Sequence, residues 1–128
     1  MKILIAGEGG QGIQTAARIL AESAYHEGKE VVYIPNFGVE QRGGFSIAFV
    51  IIDSQPITYP KFETADILAV MTDKVMTRVK KHQGEKTIIL KNTSNLALLK
   101  ELVEKTKIVK PSTLEAVTNK KLAGKIKR

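Results

Sequence analysis

The sequence predicts an α/β domain of three layers, with helices on both sides of a mostly parallel, mixed sheet. Two patterns carry that expectation. Short apolar runs alternate with helix-periodic stretches along the chain, and the first strand, glycine turn, helix and second strand form a Rossmann-like βαβ unit of about 30 residues. One strand breaks the parallel pattern, because too few residues precede it for a helical crossover.

Lys2-Ile3-Leu4-Ile5-Ala6 reads as a buried strand, short, apolar and stopped by Gly7. From Ile13 the apolar positions 13, 16, 17, 20 and 24 recur at helical spacing, and Gly28 is placed to end that helix. Residues 30–34 form a second strand, parallel to the first and closed by Pro35. No helix fits between Ile34 and Phe45, so the strand over residues 45–52 is antiparallel or at an edge. Pro56 and Pro60 punctuate a connection before the buried strand of residues 65–71. Thr72 or Asp73 can cap a helix running to about His82 and ended by Gly84. A short strand at residues 87–90 precedes a helix capped by Ser94, with Leu96, Leu99 and Val103 on its core face. Residues 107–110 suggest a last strand, and Ser112-Thr113-Leu114-Glu115 a capping box for a final helix.

With 128 residues, 43% of them apolar and 26% charged, the chain is expected to form one domain over residues 1–128. It holds no cysteine, so it offers no disulfide, thiolate metal site or cysteine nucleophile, and a cytoplasmic setting is expected. No secretory signal and no membrane span stand out. Of the net charge of +7, the last 29 residues carry +6. They suit a solvated lysine-rich helix face or a patch for an acidic protein or phosphorylated cofactor. With 5% aromatic residues and no Trp, basic stretches lack interleaved stacking groups, and no nucleic-acid partner is expected.

Residues 7–12, Gly-Glu-Gly-Gly-Gln-Gly, match G-x-G-x-x-G at the mouth of a helix. In that setting Gly7 would permit a tight turn, Gly9 a close backbone approach to a ligand, and Gly12 close helix–strand packing. The positive helix end would favour an anion. Ile13-Gln14 stand where a Walker-type loop needs Lys and Ser or Thr. The second strand ends Tyr33-Ile34-Pro35-Asn36, without the acid that holds NAD ribose. Residues 36–46 (Asn-Phe-Gly-Val-Glu-Gln-Arg-Gly-Gly-Phe-Ser) form a second glycine-bearing loop with Glu40 and Arg42, leaving the same sheet edge. Arg42 beside exposed backbone N–H groups suits a carboxylate or phosphate; an internal Glu40–Arg42 contact is the plainer alternative. Glu8 lies within the first loop without a visible partner base. His26 and His82 read as surface or cap residues, and neither Ser46 nor Thr72 has an activating base nearby. The residues alone point to an anion-friendly rim without catalytic groups.

The order of these pieces resembles the gamma subunit of 2-oxoacid:ferredoxin oxidoreductases of the pyruvate, 2-oxoglutarate and 2-oxoisovalerate type. The resemblance rests on Gly7 to Gly12, Gly38 to Ser46, Pro56-Ile57-Thr58-Tyr59-Pro60 and Ala65 to Val70, and it extends over roughly residues 2–92. Residues 93–128 match poorly, and Phe37-Gly38-Val39 stands where the family often has Tyr-Gly-Pro. The resemblance implies a subunit, inactive alone, of a complex that turns a 2-oxoacid, coenzyme A and oxidised ferredoxin into acyl-CoA, carbon dioxide and reduced ferredoxin. Thiamine diphosphate and iron–sulfur clusters would belong to partner subunits, and this chain would hold no cofactor or metal alone. Gly7, Gly9, Gly10, Gln11 and Gly12, with Glu40, Arg42, Gly43 and Gly44, would face the partners or the coenzyme A path. Alternatives are the small subunit of indolepyruvate oxidoreductase and a stand-alone nucleotide-binding module.

Overall fold

A computed structural model describes residues 1–9, 12–36 and 44–126. The chain runs β1 (Lys2–Glu8), α1 (Ile13–His26), β2 (Glu30–Asn36), β3 (Phe45–Asp53) and β4 (Ala65–Val70). A broken helical segment over residues 73–82 follows, with one α-helical turn, α2 (Met76–Val79), between two 3-10 turns. It leads to β5 (Gln83–Lys91), α3 (Asn95–Thr106) and α4 (Pro111–Ile126).

The sheet has the order β2-β3-β1-β4-β5. β1–β4 and β4–β5 are parallel, whereas β3 is antiparallel to both β1 and β2. The expected α/β class and mixed sheet are present. β3 is reversed as its short approach requires, but it lies inside the sheet and not at an edge. It therefore separates β2 from β1, which point the same way without touching.

Side-chain alternation divides the core. Ile3 and Ile5 pack with α1, α3 and α4 on one face, while Leu4 and Ala6 pack with Val75 and Val79 of the broken segment on the other. The first layer is thick and the second thin. α1 ends in a Schellman motif: the Lys29 N–H donates to the Ala24 carbonyl at 3.1 Å and the Gly28 N–H to that of Tyr25 at 2.9 Å. Gly28 has φ +80°, which its lack of a Cβ permits.

Several sequence expectations need correction. β1 extends to Glu8, so Gly7 is a paired strand residue opposite Ser46 and makes no turn. Pro35 lies within β2, tolerated because β2 is an edge strand that can spare one N–H. The helix expected to reach His82 is interrupted, and Gly84 belongs to β5. Residues 107–110 form no strand; they join α3 to α4, and Val109 is buried between helices. Pro111 occupies the first turn of α4, so Ser112 lies inside the helix and does not cap it. On α3 the buried stripe is Leu98, Leu99, Leu102 and Val103, with Leu96 only half-buried.

Candidate functional site at the glycine rim

The carboxyl ends of β1, β4 and β5 form one rim with the start of β3. α1 follows β1 onto one face of the sheet and the broken segment follows β4 onto the other. Neighbouring strands whose connections diverge in this way leave a crevice at their carboxyl ends. The two glycine loops meet there. The Gly9 N–H donates to the Gly44 carbonyl at 2.6 Å, and a Cβ on Gly9 would stand 3.4 Å from that oxygen. The close approach foreseen for Gly9 is thus made to the other loop.

Gly12 is needed for two reasons. It adopts the left-handed conformation at φ +74°, and a Cβ there would lie 2.6 Å from Asn95 Nδ2, which donates to the Gly12 carbonyl at 3.3 Å. The expected helix–strand packing role is replaced by contact with the first residue of α3. Gly12 at the N-cap has no side chain to cap α1 and no acid lies in the first turn, so among the described residues no carboxylate meets the positive end of α1 there. Gly10, Gln11, Glu40, Arg42 and Gly43 lie outside the described residues. Gly44 is described, with φ +79°.

Sequence reasoning missed the group that fixes the second loop's exit. Gln14 Nε2 donates to Ser46 Oγ at 2.9 Å and to the Ile47 carbonyl at 3.0 Å, while Tyr33 donates its hydroxyl to Gln14 Oε1. Three elements are tied together beside the rim. The signal was present in the alternation: Ser46 is polar on the face of β3 shared with buried Ala48, Val50 and Ile52. Across the rim, Lys74 meets Glu8 at 3.7 Å and Lys91 meets Asp73 at 2.8 Å. Between the ends of β4 and β5, Thr72, Asp73, Lys91, Asn92 and Thr93 line a pocket of about 340 Å³.

His26 is exposed at the end of α1, as expected. His82 closes the last turn of the broken segment, as a cap position would, and is half-buried there. Its Nδ1 lies 2.7 Å from the Glu63 carbonyl, and its ring packs edge-on to Phe49 at 5.5 Å. Among the described residues, no group of three or more His, Asp or Glu side chains is arranged to hold a metal ion. No described helix is long and apolar enough to cross a membrane.

Residues 2–127 match the family model described as pyruvate ferredoxin/flavodoxin oxidoreductase. The chain belongs to that family. The match takes in α3 and α4 as well as the glycine rim. One relative is the pyruvate/ketoisovalerate oxidoreductases common subunit gamma of Pyrococcus furiosus, 40% identical over 114 residues, 87% of this chain and 60% of the relative. The chain thus spans about 60% of the length of the curated relatives it matches first. Among solved structures, the pyruvate oxidoreductase subunit PORC of Thermotoga maritima superposes with a TM-score of 0.77 at 22% identity, covering 94% of this chain and 84% of the other. A 2-oxoglutarate:ferredoxin oxidoreductase from Magnetococcus marinus, with 2-oxoglutarate, coenzyme A and succinyl-CoA bound, gives a TM-score of 0.74 at 17% identity, covering 98% of this chain and 27% of that one. At those identities the two structures speak for the shared fold.

Proposed function

We propose that the chain is a gamma-type subunit of a 2-oxoacid:ferredoxin oxidoreductase. In this reading it contributes structure and part of the coenzyme A or partner-facing rim, and no catalytic group. The observation that carries it is the family match over residues 2–127, which includes both glycine loops. The meeting of the loops at Gly9 and Gly44 supports a single shared surface. The bound coenzyme A of the Magnetococcus marinus relative supports that substrate class. The absence of cysteine suits a division of labour in which partner subunits hold the clusters and thiamine diphosphate. Decarboxylation and electron transfer to ferredoxin then proceed on the partners.

Within that division the residues of the rim have defined tasks. The positive start of α1, with glycine at its N-cap, and Arg42 offer positive charge to a coenzyme A phosphate or a partner carboxylate. Gln14, through Ser46 and Ile47, holds the strand on which the Arg42 loop ends. In the complex assembled from this chain and its co-purifying subunits, Arg42→Ala is expected to raise the KM for coenzyme A or weaken assembly by at least about 10-fold, as loss of a charge-assisted contact does. Unchanged coenzyme A dependence together with unchanged assembly would refute the role given to Arg42. A chain recovered without any cluster-bearing or thiamine-binding partner would refute the subunit reading.

A further inference from the structure

The opposite face of the sheet has a groove that the rim does not use. Alternation puts Val32 and Ile34 of β2 on this face together with Phe45, Ile47 and Phe49 of β3. The broken segment covers β1 and β4 here, burying Val75 and Val79 completely, whereas Val32 and Ile34 of β2 are only half-buried although Ile51 beside them is buried. At the end of the groove Ile34, Phe49, Pro60, Lys61, Phe62 and His82 line a cleft of about 140 Å³. Its rings are set edge to face, Phe49 to Phe62 at 5.4 Å and Phe49 to His82 at 5.5 Å. An apolar cavity of about 150 Å³ accommodates a benzene-sized group, so this one has room for a single aliphatic or aromatic side chain. Tyr59, 80% exposed, lies in the segment that brings Pro60 and Phe62 to the cleft.

Charge identifies the occupant. Arg78, Lys80 and Lys81 are exposed on the segment walling the groove, and Lys61 is exposed at the cleft. The Arg78 guanidinium lies 5.5 Å from the centre of the Phe45 ring. Among the described residues, none of these four cations forms an ion pair, whereas Lys74 and Asp73 on the same segment are matched to Glu8 and Lys91. The facing acids are Glu63 beside the cleft and Glu30 and Asp53, paired across β2 and β3 at the far end. A second copy of this chain, at +7, would bring more positive charge to the groove.

We infer that this groove docks an acidic segment of a partner protein, which seats one apolar side chain among Ile34, Phe49 and Phe62 and sets its carboxylates against Arg78, Lys80 and Lys81. The inference rests on the subunit reading and adds the surface by which the chain is held. Its test is carbodiimide coupling, which joins a carboxylate to a lysine amine in contact, applied to the native assembly purified through a tag on the full chain. Lys61, Lys80 and Lys81 are expected to link to Asp or Glu of the partner in preference to Lys100, Lys105 and Lys120. The exposed double variant K80E/K81E is expected to retain its circular dichroism and lose at least 10-fold of the co-purifying partner. Links confined to other lysines, links only between copies of this chain, or full partner recovery by K80E/K81E would overturn the docking surface and leave the subunit reading standing. A chain that purifies alone would overturn both.

Discussion

At the scale of single residues, glycine spacing was legible and its cause was not. Gly12 fits the sequence pattern of a phosphate loop, yet the structure ties its identity to a positive φ and to Asn95, which is 83 residues away in sequence. Gly12→Ala is expected to cost about 1–2 kcal/mol for the left-handed backbone alone. Combined with Asn95→Gly, which removes the overlapping amide, it should cost less than the sum of the two single changes in urea denaturation. Strict additivity would show that Asn95 does not confine Gly12. Gln14 makes a second residue-scale case. Gln14→Leu leaves the Tyr33 hydroxyl and Ser46 without their amide partner, an expected loss of about 1–3 kcal/mol. Tyr33→Phe should be milder, near 1 kcal/mol, because it removes only one hydrogen bond. Equal unfolding midpoints for wild type and Gln14→Leu would remove the network from the account of the rim.

At the scale of elements, a polar clamp joins the end of α1 to the start of α4. Lys29 donates to the Ile108 carbonyl, and Glu27 accepts from the Lys110 N–H at 2.7 Å and pairs with Lys29 at 3.4 Å. This clamp explains why residues 107–110 turn between helices although their local pattern suggested a strand. Burial pushes the Glu27 carboxyl up, but the Lys110 N–H, the Thr113 hydroxyl and Lys29 outweigh it and leave it below its ordinary value. The folded state therefore favours the carboxylate. Its stabilisation is complete above the ordinary glutamate pKa, about 4.3, and is lost as pH falls through the lower folded value. Glu27→Gln should cost about 1–2 kcal/mol at about pH 7, with a smaller gap at about pH 3. Urea midpoints at the two pH values check this, and a gap independent of pH would contradict the clamp. Helix caps formed by Ser94 and Gly28 were readable in sequence because their hydrogen bonds are local. Pro111 displaced the expected Ser112 cap by taking the first helical turn itself.

At the scale of the whole molecule, charge and topology act together. A net charge of +7 attracts acidic surfaces, and salt screens that attraction over about 8–10 Å. Raising ionic strength from about 0.05 to 0.5 M should slow association with the partner subunits by about 10-fold or more and change the thermal unfolding midpoint little. Stopped-flow mixing and calorimetry separate the two effects; a salt-independent association rate would argue against electrostatic docking. The sequence by itself determined the α/β class, the reversal of the third strand and most helix starts. Each follows from periodicity, chain length between elements or local capping, which act over a few residues. Only the tertiary structure placed β3 between β1 and β2, set Gly9 against Gly44 and Asn95 against Gly12, and left Val32, Ile34, Phe45 and Phe49 of the β2–β3 face half-buried. Those outcomes depend on contacts between residues far apart in the chain, and local propensity carries no record of which distant side chain fills a given space.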